Sequence, residues 1–238
     1  MAGVNPNHSA AVHELDLASA TLREVNAVLH GSDEELAGKH FSILHPAGRH
    51  SIAAGMNAAL PVDIQGHVGY YAAGMNQHAD ITIHGNAGCG VAENMMSGSV
   101  SLLGNASTCA GASAHGGLLF IRGDASSRCG ISLKGADIVV GGSVGHMSGF
   151  MAQAGRIVVC GDAGTGLGDS LYEAVIYVRG RCDDLGADAQ QEPMTDDDYQ
   201  QLTELLKRTG LQHNPQDFKR IASARNLYHW NADTSQEY

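Results

Sequence analysis

The 238-residue sequence lacks the features that place a chain in a membrane, on a nucleic acid or outside the cell. No apolar run approaches the roughly eighteen residues that a membrane-spanning helix needs. No basic block offsets the formal net charge of −11, which argues against nucleic acid or an anionic membrane surface as a partner. The first residues show no basic stretch followed by an apolar run, so no signal peptide is expected. The five cysteines are odd in number and include no CxxC pair, so free thiols in a reducing compartment are expected. These absences together predict a soluble, cytoplasmic protein, of a length that fits one or two domains with a real core.

Proline is missing between Pro61 and Pro193, and glycine dominates that interval, with 26 of the 31 glycines between Gly48 and Gly180. Charge divides the same way: residues 1–40 carry a net −4, residues 41–182 a net −1, and residues 183–238 a net −6. Three segments are therefore predicted: a helical N-terminal lead-in or cap over 1–40, a glycine-rich body over 41–185, and a helical C-terminal docking tail over 186–238.

Inside the body a repeat is plain. Gly66, Gly85, Gly104, Gly123, Gly142, Gly161 and Gly180 follow one another at intervals of nineteen residues. Four and two residues before each stands an aliphatic pair: Val62/Ile64, Ile81/Ile83, Val100/Leu102, Leu119/Ile121, Ile138/Val140, Ile157/Val159 and Ile176/Val178. A degenerate coil precedes them, since Gly55-Met56-Asn57 recurs as Gly74-Met75-Asn76. Apolar residues at i and i+2 share one face of a strand, and the residue between them faces outward. The glycine after each pair is expected to serve a turn at positive φ, with Asn86, Asn105, Asp124 and Asp162 closing the corner. Nineteen residues are too few for a strand–helix–strand crossover but suit one coil of a parallel solenoid. Coils of nineteen do not divide into hexapeptides, which disfavours the left-handed hexapeptide helix. The predicted fold is a right-handed parallel β-helix of seven to eight coils.

The ends carry helix signals. Thr21 with Glu24, Ser32 with Glu35, and Thr195 with Asp198 have the capping-box spacing. Leu202, Leu205 and Leu206 make the apolar stripe of the C-terminal helix, which Gly210 ends. These helices read either as caps on the column or as docking arms. The outward position between the aliphatic pairs runs Asp63, Thr82, Ser101, Phe120, Val139, Val158 and Tyr177, so one face turns from polar to apolar. Stacked apolar residues facing outward need a cover, either the tail or another protein. The candidate interface is Phe120, Val139, Val158 and Tyr177, with Arg225, Tyr228, His229 and Trp230 of the tail. If the tail docks a partner, removing residues 215–238 is expected to weaken assembly while leaving the solenoid folded.

Candidate chemistry is sparse. His67, His78, His84, His115 and His146 occupy five different positions of the repeat, so no histidine column exists for a metal. Cys89, Cys109 and Cys129, spaced by twenty, drift across the coils and read as small-residue packing. The run Gly161–Gly168 lacks the Gly-Lys-Ser/Thr ending of a phosphate loop. Asp162 and Asp169 have no visible partner base. No catalytic, cofactor-binding or metal site is predicted.

The repeat Gly85-Asn86-Ala87-Gly88-Cys89-Gly90, the run Gly161–Gly168 and the aliphatic pairs resemble the GXGXG domain family over residues 40–182. That family includes the C-terminal β-helix of the glutamate synthase large subunit and a β-helical subunit of formylmethanofuran dehydrogenases. The lead-in Leu22-Arg23-Glu24-Val25-Asn26 and the tail from Phe218 to Asn231 resemble the stand-alone β-helix subunit of bacterial N-methylglutamate synthase. The resemblance implies a scaffold without catalytic residues, packed between a class II glutamine amidotransferase-like subunit and an FMN-binding barrel subunit. It implies no cofactor in this chain, and FMN, optionally with an iron–sulfur cluster, in a partner. The alternative it leaves open is a β-helical scaffold of a formylmethanofuran dehydrogenase or formyltransferase/hydrolase complex.

Overall fold

The computed structural model of the chain describes residues 11–227. Its organising element is one eleven-stranded sheet that climbs a parallel β-helix. Strands β3 (Pro61–Ile64), β4 (Asp80–Ile83), β5 (Ser99–Leu102), β6 (Leu118–Ile121), β7 (Lys134–Val140), β8 (Ala154–Val159) and β9 (Val175–Val178) are the seven repeats. They pair in parallel with each aliphatic residue directly over its equivalent, as Val62↔Ile81↔Val100↔Leu119↔Ile138↔Ile157↔Ile176. Every residue of that inner column is 1% exposed or less. A second ladder runs beside the first through single bridges, Val68↔Ala87↔Ala106↔Ala125↔Val144↔Ala163↔Cys182.

Two strands extend the sheet below the regular repeat. β2 (His40–Leu44) pairs with β3, Phe41 over Val62, after an interval of 21 residues. β1 (Val12–Asp16) pairs with β2, Val12 beside His40. The lead-in is therefore part strand. Between β1 and β2 run α1 (Leu22–Leu29) and α2 (Asp33–Leu36), each opened by the expected capping box. Val25, Leu29 and Leu36 enter the same core as Phe41, Ile43 and Ile52. Asn26 fastens α1 to the first coil, donating from Nδ2 to the Ser51 carbonyl at 2.9 Å and accepting the Ala53 N–H on Oδ1 at 3.0 Å.

At the other end the sheet reverses direction. β11 (Lys219–Ser223) lies antiparallel on β9, and β10 (Ala189–Glu192) antiparallel on β11. α3 (Asp196–Thr209) starts at the Thr195 capping box and ends at Gly210, a left-handed cap with φ 71°. The tail is thus a two-stranded closure plus a helix. A truncation at 215 would remove β11 from the sheet and leave β9 and β10 without their common neighbour.

The role expected for the repeat glycines is also corrected. Of the seven, only Gly66 has a positive φ. The others are selected by close approach. Asn86 Oδ1 accepts the Asn105 N–H at 2.8 Å, Asn105 Oδ1 the Asp124 N–H at 2.8 Å, and Asp124 Oδ1 the Ser143 N–H at 2.7 Å. Ser143 Oγ accepts from Asp162, and Asp162 Oδ1 from Arg181, in the next two steps. Each acceptor oxygen slides over the glycine of the next coil. A Cβ on Gly161 would stand 2.5 Å from Ser143 Oγ, and one on Gly142 would fall on Asp124 Oδ1. Glycine is needed there because it has no side chain.

Left-handed backbone is concentrated at a different corner, in three columns at nineteen-residue spacing. They are Tyr71, Gly90, Cys109, Arg128, Met147 and Gly166; Ala73, Ala92, Gly111, Gly130, Gly149 and Gly168; and Met75, Asn94, Ser113, Ser132, Met151 and Ser170. A left-handed non-glycine residue costs about 1–2 kcal/mol. The cost is offset by hydrogen bonds that alternate up and down the column: Tyr71 N–H donates to the Cys89 carbonyl, Ala73 N–H to Ile52 and Met75 N–H to Glu93, at 2.9, 2.9 and 2.7 Å. The middle column faces the core and holds only alanine or glycine. A Cβ on Gly111 would approach Ile138 Cδ1 to 2.6 Å.

Candidate functional site

The outward residue of each strand builds one column along the sheet: Ser42, Asp63, Thr82, Ser101, Phe120, Val139, Val158 and Tyr177. Its two halves have different surroundings.

In the upper half, Val139 and Val158 are 0% exposed and Tyr177 is 1% exposed, while Phe120 is half-buried. Their cover is the chain's own α3. Leu202, Leu205 and Leu206 pack with Val139, Val158, Tyr177 and Phe218 in a cluster separate from the solenoid core. With α3 in place, these three outward residues offer no surface to another protein.

Polar groups then latch the helix. The Tyr177 hydroxyl donates to Asp198 Oδ1 at 2.6 Å, and Arg220 Nε donates to the same oxygen at 3.2 Å. The Thr195 N–H and hydroxyl donate to Asp198 Oδ2 at 2.8 and 2.7 Å. Asp198 is therefore both the capping-box acid of α3 and the base of the latch. Burial pushes its carboxyl up, but the bonds from Tyr177 and Thr195 and the charge of Arg220 outweigh it and hold the group below its ordinary value. Burial, and then the Asp198 carboxylate, push the Tyr177 phenol well above its ordinary value. A second latch is Arg156, which grips both oxygens of Asp137 at 2.6 and 3.1 Å and donates to Gln201 Oε1 on α3 at 2.8 Å. Arg220 also pairs with Glu192 of β10.

In the lower half no helix of the described residues lies on the sheet, and the column is polar. His40 Nε2 bonds Asp63 Oδ2 at 2.6 Å, and His84 Nε2 bonds Asp63 Oδ1 at 2.6 Å. Burial raises the Asp63 carboxyl, and the bonds from His84 and His40 more than reverse that, so it stays ionised. Ser99 donates to Asp80 at 2.6 Å and Gln65 to Ser42 at 3.3 Å. This His–Asp–His grouping was not visible from the repeat, because its members lie on three successive coils at three different positions. The pairing of Phe41 with Val62 was the missing key. Among the described residues, no group of three or more His, Cys, Asp or Glu is arranged to hold a metal ion.

Concavities flank the lead-in helices. One of about 370 Å³ is lined by Ala27, Val28, Leu36 and Phe41, with Glu35 and Lys39. Another, of about 400 Å³, includes His30, Asp33, Asn57 and Gln77. A third, of about 250 Å³, sits on the left-handed corner between Ser51, Tyr71, Met75, Glu93 and Asn94. Tyr70, Tyr71, Met75 and Met96 are about half exposed.

The tail is anchored by Asp188. Its carboxylate accepts the Asn226 N–H at 3.0 Å, the Leu227 N–H at 3.2 Å and the Ser223 hydroxyl at 3.0 Å. Arg225 is exposed and pairs with Glu173 at 3.4 Å. Tyr228, His229 and Trp230 lie outside the described residues. No helix of the described residues is long and apolar enough to cross a membrane.

No family model matches the chain. It is similar to Protein GlxC of Rhizobium meliloti (strain 1021), with 50% identity over 225 residues that span 94% of this chain and 99% of that protein. At that identity over nearly the full length of both proteins, the chain belongs to the GlxC family.

Proposed function

We propose that this chain is the structural β-helix subunit of a cytoplasmic, glutamate synthase-like complex, N-methylglutamate synthase. In this reading it packs between a class II amidotransferase-like subunit and an FMN-bearing barrel subunit and carries no catalytic residue. The complex converts L-glutamate and methylamine to N-methyl-L-glutamate and ammonia, with FMN, and optionally an iron–sulfur cluster, in the partner. The observation that carries the reading is the full-length likeness to Protein GlxC; the glutamate synthase-like repeat and tail add to it.

The architecture suits a spacer. Nine parallel strands stacked about 4.8 Å apart make a column roughly 40 Å long, and each coil is hydrogen-bonded to the next. A partner has the polar lower half of the sheet and the left-handed corner open to it.

Isolating the chain under mild conditions from its native source tests the reading. Expected are a glutaminase-like chain, a yellow flavin-bearing chain and methylamine-dependent formation of N-methylglutamate. Co-isolation with formyl-transfer subunits would replace the reading with the formylmethanofuran dehydrogenase or formyltransferase/hydrolase scaffold. A lone, colourless chain would overturn both. Deleting only 228–238, which spares β11 and the Asp188 bonds to Asn226 and Leu227, should weaken assembly and leave the melting temperature within a few degrees.

A further inference from the structure

Three cysteines at twenty-residue spacing in a nineteen-residue helix do not stack; they step diagonally, one coil up and one residue along. Cys89 and Cys109 make the outermost step, on the left-handed corner. Backbone hydrogen bonds fix their relation: Gly90, next to Cys89, donates to the carbonyl of Thr108, next to Cys109, at 3.0 Å. With strands about 4.8 Å apart and consecutive Cα atoms 3.8 Å apart, such a diagonal pair has Cα atoms about 6 Å apart. Disulfides span roughly 4.4–6.8 Å between Cα atoms. Cys89 also lies close enough to Cys109 to help push its thiol above the ordinary value.

The remaining cysteines differ. Cys129 and Cys160 are buried, and burial lifts their thiols to about 12 and about 11, so both stay protonated. Cys182 is half-buried on the second ladder, against Ala163. Only Cys89 and Cys109 are at once half-buried and in contact with another thiol that is itself half-buried.

We propose that Cys89 and Cys109 are a modification site, closing to a reversible disulfide between adjacent coils when the protein meets a peroxide. The Cys89 thiolate attacks one peroxide oxygen, the O–O bond breaks, and a sulfenic acid and one water result. The Cys109 sulfur then attacks the sulfenic sulfur, the S–S bond forms and a second water leaves. The two thiols give up two electrons and two protons, and hydrogen peroxide takes them to become two waters. Cys109 is the resolving member, because burial and then the neighbouring Cys89 push its thiol above the ordinary value. A dithiol reverses the reaction by exchange. The bridge staples the corner where each coil carries its left-handed residues, and the inference is independent of which complex the chain joins.

The test uses the full-length chain treated with hydrogen peroxide, then alkylated in denaturant and weighed. Alkylatable thiols should fall from the five of the sequence to three, the mass should drop by two hydrogens, and dithiothreitol should restore both. No lysine or arginine lies between the two cysteines, so cleavage after Glu93 is used, and the two fragments must stay joined until reduced. Cys89→Ser should keep every remaining thiol alkylatable, whereas Cys109→Ser should lose only Cys89, to a sulfenic acid one oxygen heavier and without a bridge between the two fragments. Serine already adopts the left-handed conformation of Cys109 at 113, 132 and 170, and Ser127 stands at the Cys89 position two coils on, so both variants should fold. Five alkylatable thiols after peroxide, a bridge containing Cys129, or thiol loss in the variants equal to the parent would each overturn the proposal.

Discussion

Strands β2–β5 and β6–β9 share a backbone, a register and an inward apolar pair, yet their outward faces have opposite fates. Asp63 bonds His40 and His84, Ser42 accepts from Gln65, and Asp63, Thr82 and Ser101 stay partly open. Phe120, Val139, Val158 and Tyr177 lie beneath α3 and Phe218. The inward pairs make a solenoid; the residue between them decides whether its face takes a helix. Because α3 occupies the apolar half, a partner of the proposed complex that docked on this sheet would meet the polar half, through a wet interface of hydrogen bonds and charge rather than an apolar one.

The largest break in this comparison should come from a charge on each half. Leu205→Asp places a carboxylate in the apolar cluster and should cost about 4 kcal/mol, freeing α3 to protease attack. Ser101→Asp, on the open half, should cost less than about 1 kcal/mol. Equal losses in denaturant unfolding would remove the distinction between the halves.

Next comes the glycine ladder that both halves share. Gly142→Ala should cost about 2–3 kcal/mol by overpacking against Asp124 Oδ1. Asp124→Ala in the same chain should relieve part of that, giving a double mutant more stable than the sum of the singles. Strict additivity would point back to a backbone conformational role for this glycine.

Asp198→Asn sharpens the upper half. It leaves Tyr177, Thr195 and Arg220 facing a neutral amide and should cost about 2 kcal/mol, with α3 amides losing protection before the core strands. The same carboxylate sets an acid dependence. Its folded value lies below the ordinary 3.8, so its stabilisation is complete above that value and is lost as pH falls through the lowered one. Hydrogen exchange should show α3 loosening below about pH 4, and Asp198→Asn should flatten that dependence.

The smallest effect belongs to Ser101→Val, which extends the apolar column by one strand. Its stability should change by no more than about 0.5 kcal/mol, since no helix covers that position to reward the methyl groups.

Much of this was legible in the linear sequence. The nineteen-residue period placed seven strands, and three capping boxes placed three helices, because both signals are local. β1 and β2 were hidden because two helices separate them and a two-residue insertion breaks the period between β2 and β3. β10 and β11 were hidden because they reverse direction and carry no repeat. Nothing in Tyr71, Met75, Arg128 or Met151 marks a left-handed residue; that conformation is imposed by hydrogen bonds to the coils above and below. The polar-to-apolar outer column was legible as residues, but its cover was not, since apolarity says that a face needs covering and not by what.

The sequence by itself determined the coil: a strand of fixed inward pattern, a glycine without which the next coil could not close, and helix starts at Thr21, Ser32 and Thr195. Only the tertiary structure decided which coils touch which side chains. It joined His40, Asp63 and His84, set Asp198 between Tyr177 and Arg220, and laid Cys89 against Cys109. Those meetings depend on register between coils, a property of stacked backbones that no single nineteen-residue stretch contains.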